Sequence, residues 1–448
     1  MKKLTLIIVF AFILQFVAPS QSCLPEGIIF STQDQIDNFE TNYPGCIEIE
    51  GDVEISGNDI TNLNGLNILT ALGGNLRVWG NHALWSFVGL ENVTHIQKNL
   101  FIGENQLLLN LNGLNSVISI GETLWLWDNT SLKDLTGLEN LISIGGNLWV
   151  WSNKSLTSLT GFSNLTSVGE SLVIWKNDTL NNLTALGSLS NVGVNIKIEN
   201  NSDLLNLWGL NSITTVNGFL LIFQNHSLKS LYGLNNLTTV GGFLEIYHNN
   251  DLSTLHGLNN LVSIGTDLSI WSNHALIDLA GLQNLSTIGE HLSIRNNGAI
   301  VDLSAIENVD TNSLSYLTIT NNPSLSTCET KSICEFITAT ISEIEIHDNA
   351  LGCNSWQEVE DACNVGIDNQ NPQPPISIYP NPAEKAISVS SKSGIAIDEV
   401  IIYNQTGQKV LHKKDFTSPI DLSTLQPGMY VIEVVSDELK VREKLVVK

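Results

Sequence analysis

The chain has 448 residues, enough for two or three folding units, and its hydrophobic content of 42% is ordinary for a globular protein. Its formal net charge of −25 is extreme and uneven: residues 23–375 hold 36 Asp and Glu against 9 Lys and Arg, whereas residues 376–448 hold 9 of each class. Because an acidic surface repels phosphate backbones and anionic lipid, nucleic acid and membrane surfaces are poor candidates as partners of the first region.

Residues 1–22 have the composition of a secretory signal peptide. The segment opens with Lys2 and Lys3, continues as an apolar run from Leu4 to Val17 and ends on small residues. The apolar run is too short for a comfortable membrane span, so no transmembrane segment is expected once the signal is removed. A lipid anchor on Cys23 is the weaker alternative, because Ser20 stands where a lipidation signal needs an apolar residue.

The six cysteines of an exported chain favour disulfides over metal or redox chemistry, and no pair has the close spacing of a zinc site. They flank the middle of the chain, at Cys23, Cys46, Cys328, Cys334, Cys353 and Cys363. We expect them to stabilise an N-terminal cap over 23–52 and a C-terminal cap over 311–366. Cys23 and Cys46 form the natural N-terminal pair, and the other four allow three connectivities.

Residues 53–310 repeat with a period of 24. The second residue of a Gly-Leu pair falls at Leu66, Leu90, Leu114, Leu138, Leu210, Leu234, Leu258 and Leu282. Every gap is a multiple of 24. A constant period in this range predicts a solenoid, in which each turn buries its apolar face only against its neighbours.

Each repeat contains one short strand of alternating pattern, as in Leu124 and Leu126, whose side chains should point inward. Since successive copies run in the same direction, the strands should form one long parallel sheet. In the return path the apolar residues recur every three positions, which favours tight turns and short 3₁₀ pieces over a full helix. The sequence therefore predicts a mainly β protein built as a parallel β-solenoid.

An asparagine closes every strand in the same register. The series comprises Asn81, Asn105, Asn129, Asn153, Asn177, Asn201, Asn225, Asn249, Asn273 and Asn297. A general preference of Asn for turns does not explain ten positions in register. A buried amide can both donate and accept hydrogen bonds, so we expect a structural ladder that satisfies backbone groups where the chain bends into the core.

Aromatic residues occupy many outward positions of the predicted sheet. They are Trp79, Phe101, Trp125, Trp127, Trp149, Trp151, Trp175, Phe223, Tyr247 and Trp271. Two compatible interpretations remain open. Aromatic residues favour strands and stack as ladders that stiffen a sheet, and an exposed aromatic surface also suits a ligand such as a glycan, whose sugars have apolar faces.

An enzyme is the alternative from another class, because parallel β-helices host polysaccharide lyases. The charged residues on this face are scattered between the aromatic ones, at Arg77, Lys197, Glu199, Glu245 and Arg295. No nucleophile, phosphate-loop or zinc motif is present in the sequence. His82, His226 and His274 share the position after the ladder asparagine, where a turn surface explains them. We therefore predict a non-catalytic binding or adhesion protein without cofactor or metal, with a passive surface scaffold as the third possibility.

The repeat region resembles a known family. The segment from Cys23 to Cys46 ends in Pro44-Gly45-Cys46-Ile47-Glu48-Ile49, and Gly-Leu, Asn-Leu and Ile-Gly-Gly units follow it. Over residues 23 to about 363 this pattern resembles the receptor L-domain repeats of bacterial surface proteins, relatives of leucine-rich repeats. The next Leu stands three residues after the Asn, as in Asn129 and Leu132, rather than two, which argues against a helical convex face.

A Pro-rich linker over 367–375 leads to a small domain over 376–448, whose alternating pattern and turn signals predict six or seven strands in an antiparallel β-sandwich. Its motifs are Tyr379-Pro380-Asn381-Pro382, Gly407-Gln408-Lys409-Val410, Leu425 to Tyr430 and Lys444 to Lys448. They resemble the type A sorting domain of the type IX secretion system. The resemblance implies contact with that machinery, export to the cell surface or medium, and removal of the domain.

Overall fold

The computed structural model describes residues 22–338, 343–367, 376–391, 397–404, 407–414, 419–435 and 440–448. The predicted signal peptide up to residue 21 and residues 368–375 of the predicted linker lie outside the described residues. The chain divides into two compact units, with the boundary in the sequence between Cys363 and Asn364.

The first unit is built on a 14-stranded parallel sheet in which strand order follows chain order. Its strands are Ile28–Phe30, Val53–Ile55, Leu76–Trp79, Leu100–Gly103, Leu124–Trp127, Leu148–Trp151, Leu172–Trp175, Ile196–Glu199, Leu220–Phe223, Leu244–Tyr247, Leu268–Trp271, His291–Arg295, Tyr316–Thr320 and Glu343–His347. From Leu76–Trp79 to His291–Arg295, each pair of neighbouring strands is aligned with an offset of 24 residues, as in Leu124 with Leu148. The predicted parallel β-solenoid is confirmed. Its sheet also includes one strand of the segment expected to form the N-terminal cap and two of the segment expected to form the C-terminal cap.

A second side of most turns carries a strand of two residues. Eight of these form one parallel sheet: Ser22–Cys23, Glu48–Ile49, Ala71–Leu72, His95–Ile96, Ser119–Ile120, Ser143–Ile144, Ser167–Val168 and Asn191–Val192. Four more form another: Thr215–Val216, Thr239–Val240, Ser263–Ile264 and Thr287–Ile288. The remaining path is made of tight turns and 3₁₀ segments at Asn64–Leu66, Thr184–Leu186 and Ser304–Ile306. Residues 53–310 contain no α-helix, so the convex side is not helical.

The core is a set of apolar columns, each contributed by one position of the repeat. Leu124 and Leu126 of one strand are fully buried, as are Leu132, Leu135 and Leu138 of the path that follows it. Burying such side chains is worth roughly 1.5–3 kcal/mol each. Since a turn packs only on its two neighbours, this gain is shared between adjacent turns.

Both ends of the first unit carry helices and disulfides. The N-terminal helices are Gln33–Asp37 and Phe39–Asn42, and Thr32 caps the first of them through a capping box. The C-terminal helices are Lys331–Thr338 and Trp356–Ile367. The disulfides join Cys23 to Cys46, Cys328 to Cys353 and Cys334 to Cys363. The last two select one of the three connectivities that the sequence left open.

The ten asparagines are fully buried and bonded from turn to turn. Asn129, for example, donates from Nδ2 to the carbonyl of Ile102 (3.0 Å), while its Oδ1 accepts from the backbone N–H of Asn105 (3.1 Å). The residue before each asparagine has a positive φ, which turns the chain inward; for Asp128 it is 49°. Asn322 and Asn349 continue the ladder at wider spacing.

The second unit contains seven described strands in two antiparallel sheets. Ile376–Tyr379, Ala386–Ser391 and Ile420–Asp421 form one sheet, and Lys409–Lys414, Glu399–Tyr403, Gly428–Val435 and Lys440–Val447 form the other, in that order. Buried residues of both sheets form one apolar core, to which Ile387, Val400 and Leu445 belong. The predicted small antiparallel domain is confirmed.

Candidate binding surface

The outer face of the long sheet is organised in columns, because outward side chains of equivalent positions stand on neighbouring strands about 4.8 Å apart. In the four-residue strands the second and fourth residues point outward, as Trp125 and Trp127 do in theirs, while Leu124 and Leu126 are buried. All ten aromatic residues singled out from the sequence lie in these two columns. Trp79 is exposed, and the other nine are half-buried against one another.

The structure separates these ten residues into two groups. The first aromatic cluster covers five adjacent strands, roughly 19 Å across, and consists of Trp79, Phe101, Trp125, Trp127, Trp149, Trp151 and Trp175. The second aromatic cluster consists of Phe223, Tyr247 and Trp271. Lys197 and Glu199 occupy the two outward positions of the strand between them, and their side chains form an ion pair of 2.6 Å.

The second aromatic cluster is a continuous stack. The Phe223 and Tyr247 ring centroids are 4.0 Å apart, and Tyr247 and Trp271 are 4.2 Å apart at an interplanar angle of 9°. Each inner ring face is therefore covered by the next ring, and the ring edges point outward. This arrangement stabilises the sheet and leaves little ring face for a ligand.

Rings of the first aromatic cluster meet at mixed angles. Trp151 and Trp175 stack at 5.2 Å and 10°, but Trp125 meets Trp149 edge to face at 5.1 Å and 78°. Mixed angles keep the surface irregular and open hollows between rings. Trp127 does not extend the Trp151 and Trp175 stack as a flat row would require.

Trp127 lies instead over Gly103, its neighbour on the preceding strand, and against Trp125, with a centroid separation of 5.0 Å. A Cβ atom at Gly103 would come within 2.0 Å of the Trp127 ring. The missing side chain at this position therefore creates the space that the Trp127 indole fills.

Two grooves lie on the first aromatic cluster. One, of about 350 Å³, is lined by Arg77, Trp79, Phe101, Trp125 and Trp127. The other, of about 300 Å³, is lined by Trp125, Trp149, Trp151, Val173, Trp175 and Lys197. Four indole N–H groups, those of Trp125, Trp149, Trp151 and Trp175, are buried and find no acceptor among the described residues. All four belong to tryptophans that line the second groove.

The charged residues near the grooves already have partners. Arg77 donates to Asp52 at 2.8 Å and lies 5.7 Å from the Phe101 ring centroid. Burial opposes ionisation of Asp52, but hydrogen bonds from Asn75 and the Arg77 guanidinium outweigh it and lower the pKa of this carboxyl to about 2. The guanidinium of Arg77 is thus paired with an ionised carboxylate, an arrangement that does not suit a catalytic base.

A polar group beyond the second aromatic cluster was not anticipated from the sequence. Asp267, Glu290 and His291 each place one potential ligand atom within 4.8 Å of the others. His291 Nδ1 lies 3.0 Å from Asp267 Oδ1, a contact that becomes an ion pair when the imidazole is protonated. Burial raises the pKa of nearby Glu245, and the charge of Asp267 raises it further. All three residues of the group are partly or fully solvent-exposed, and we assign the group no ligand.

The class of protein follows from these features: a disulfide-capped parallel β-solenoid, with an aromatic outer face and a separate antiparallel domain. Residues 377–448 match the family model described as the secretion system C-terminal sorting domain. Because this domain is the sorting signal of the type IX secretion system, the protein is exported by that system, to the cell surface or the medium. Comparison with curated proteins gave no significant match. The resemblance of the repeats to receptor L-domains stays a prediction.

Within the described residues, no helix combines the length and apolar character that a membrane crossing requires. Residues 1–21 of the predicted signal peptide lie outside that part of the chain, so the signal peptide and its removal stay a prediction as well.

Proposed function

We propose that the repeat region is a non-catalytic binding module of the exported protein and that its ligand, a polysaccharide or a glycoprotein glycan, binds on the first aromatic cluster. One observation carries this proposal: seven aromatic side chains and two grooves share one irregular, partly exposed surface of five strands. Exposed aromatic surfaces of this extent commonly mark an interaction site. The apolar C–H faces of sugars suit such a surface, while their hydroxyls reach the polar rim.

A scaffold function is favoured by the second aromatic cluster alone. Its rings stack on one another, so their faces are occupied within the protein. The two clusters therefore provide a comparison within a single molecule, since binding should depend on the first and not on the second.

The test replaces Trp127, Trp151 and Trp175 with Ala and measures binding on a glycan array. We expect at least a tenfold loss of affinity, because each lost ring contact is worth about 0.5–1.5 kcal/mol and about 1.4 kcal/mol corresponds to a factor of ten. The matched control replaces Phe223, Tyr247 and Trp271 with Ala and should retain binding. Equal binding by wild type and the tryptophan variant would contradict the proposal, as would a variant that loses only self-association.

We also propose that the mature protein ends near the Pro-rich segment before residue 376, because the match to a sorting domain begins at residue 377. Intact-mass measurement of protein from the cell surface or medium should give a chain that lacks residues 376–448. The same chain produced in a host without type IX secretion should retain them. Lys448 found on the secreted protein would refute this.

A further inference from the structure

The groove beside Val173 arises from one change in a column of side chains. At the second residue of each strand, which is the first of the two outward positions, neighbouring strands carry Phe101, Trp125 and Trp149, then Val173, then Lys197. Because valine is much smaller than tryptophan, the outer surface of the sheet is recessed between Trp149 and Lys197. The rings of Trp151 and Trp175 line the same hollow, whose volume of about 300 Å³ lies at the lower end of the range for small-molecule pockets.

The chemistry of the groove is rich in donors. Its four indole N–H groups have no acceptor among the residues that the structure describes, and indole nitrogen is a donor only. Lys197 adds an ammonium 5.4 Å from the Trp175 ring centroid. Glu199 is not one of the lining residues, but its carboxylate lies 2.6 Å from the Lys197 ammonium, and its side chain is only 12% exposed.

We infer that this groove is the primary subsite of the ligand and that it holds one neutral sugar ring, an assignment that rests on the binding function proposed above. The apolar face of the sugar would pack on the aromatic walls and Val173. Its hydroxyl oxygens accept from Lys197 and from indole N–H groups that small ring rotations expose, and a hydroxyl donates to Glu199.

Other ligand classes fit less well. A plain alkyl group would leave the indole N–H groups unpaired, as they are in the free protein, and would cover the Lys197 ammonium without offering it an acceptor. A carboxylate-bearing sugar would place its charge beside Glu199, where repulsion opposes binding. A hydroxyl group both donates and accepts, so a neutral sugar can satisfy Lys197 and Glu199 together without breaking their ion pair.

The decisive variant is Val173→Trp, which continues the column of Trp125 and Trp149 and fills the groove. The substituted side chain points away from the core, and tryptophan is favoured in strands, so the fold should persist. The probes are cello-, manno-, xylo- and maltohexaose, with hexagalacturonate as the charged comparison, measured by titration calorimetry. We expect Val173→Trp to lose at least tenfold in affinity for the neutral hexasaccharide that the wild type binds.

The matched control is Ser269→Trp, which lies in the same column four strands away and should bind like the wild type. Val173→Leu fills less of the groove and should weaken binding less, which keeps the test valid if the tryptophan variant misfolds. Glu199→Gln should lower affinity several-fold, because it removes the charge-assisted acceptor.

The outcomes separate this inference from the function on which it rests. If Val173→Trp binds like wild type while the Trp127, Trp151 and Trp175 variant does not, the groove assignment is wrong and the aromatic surface still binds. If only hexagalacturonate binds, the neutral-sugar assignment is wrong. If no probe on the array or in the panel binds, both proposals are overturned.

Discussion

Replacing Asn177 with Ala should lower the free energy of unfolding by at least about 2 kcal/mol. Asn177 is fully buried; its Oδ1 accepts from the Asn153 backbone N–H at 3.1 Å, and its Nδ2 donates to the Val150 carbonyl at 2.9 Å. Alanine would leave the Asn153 N–H and the Val150 carbonyl without these partners, and each buried unpaired group costs about 1–3 kcal/mol. Thermal and denaturant unfolding followed by circular dichroism measures the effect.

Asn181→Ala is the matched control, since this exposed asparagine lies in the same turn and its side chain accepts only from Asn182. Its unfolding should change by less than about 0.5 kcal/mol, as is usual at exposed sites. Equal melting temperatures of Asn177→Ala and wild type would show that water or relaxation replaces the ladder bonds and that the ladder is not a main source of stability.

Gly161→Ala should be more damaging, on the order of 3 kcal/mol or more. Gly161 has a φ of +120°, which residues with a Cβ rarely adopt, and an added Cβ would lie 2.0 Å from the carbonyl oxygen of Leu135 on the preceding turn. The substitution combines backbone strain with a clash against main chain, which cannot move without breaking the next turn. Reduced yield of folded protein and a lower melting temperature are the expected readouts.

Gly187→Ala provides the control in the next turn. Gly187 ends a 3₁₀ segment at φ −59°, and an added Cβ would meet only the Thr184 carbonyl oxygen, at 3.4 Å. Alanine should be neutral or stabilise slightly, by about 0.4–1 kcal/mol, because it restricts the unfolded chain. Similar losses in both variants would contradict the argument from close approach.

The sequence predicted the solenoid well because its information is periodic. Leu124 and Leu126 define an inward face, and a repeat of 24 residues requires Leu148 to lie beside Leu124. Gly161 stands before Phe162, which fills the place of Leu in the 24-residue repeat, so its register could be read from the sequence. Its positive φ could not, since a glycine at a turn and a glycine at a close contact look alike in a sequence.

Two sets of side-chain hydrogen bonds were not predicted from the sequence. A second column of asparagines donates to carbonyls of the preceding turn, as in Asn140 to Asn115 and Asn164 to Glu139, both at 2.7 Å. Serine replaces asparagine at equivalent positions such as Ser188, which interrupts the pattern. The ladder also extends to Asn322 and Asn349, where spacings of 25 and 27 residues hide the register.

The candidate site was only partly predictable. Alternation placed the ten aromatic residues on the outer face, but ring orientation depends on the neighbours that each indole meets. The Trp127 ring lies over Gly103, while the Trp151 ring stacks on Trp175, and the residue type alone predicts neither orientation. The groove at Val173 likewise appears only when the register sets valine beside Trp149. Binding by these residues stays a prediction.

The amide ladder makes length a modular property of this protein. Asn105 bonds to Asn129 and Asn129 to Asn153 in the same way, always 24 residues apart. Removal of residues 130–153 would bring Asn129 beside Asn177 with unchanged chemistry, whereas removal of 23 residues would break every bond at the junction. Gene duplication or loss can therefore lengthen or shorten the molecule in whole turns, each adding about 4.8 Å to the outer face, while both caps keep their own contacts.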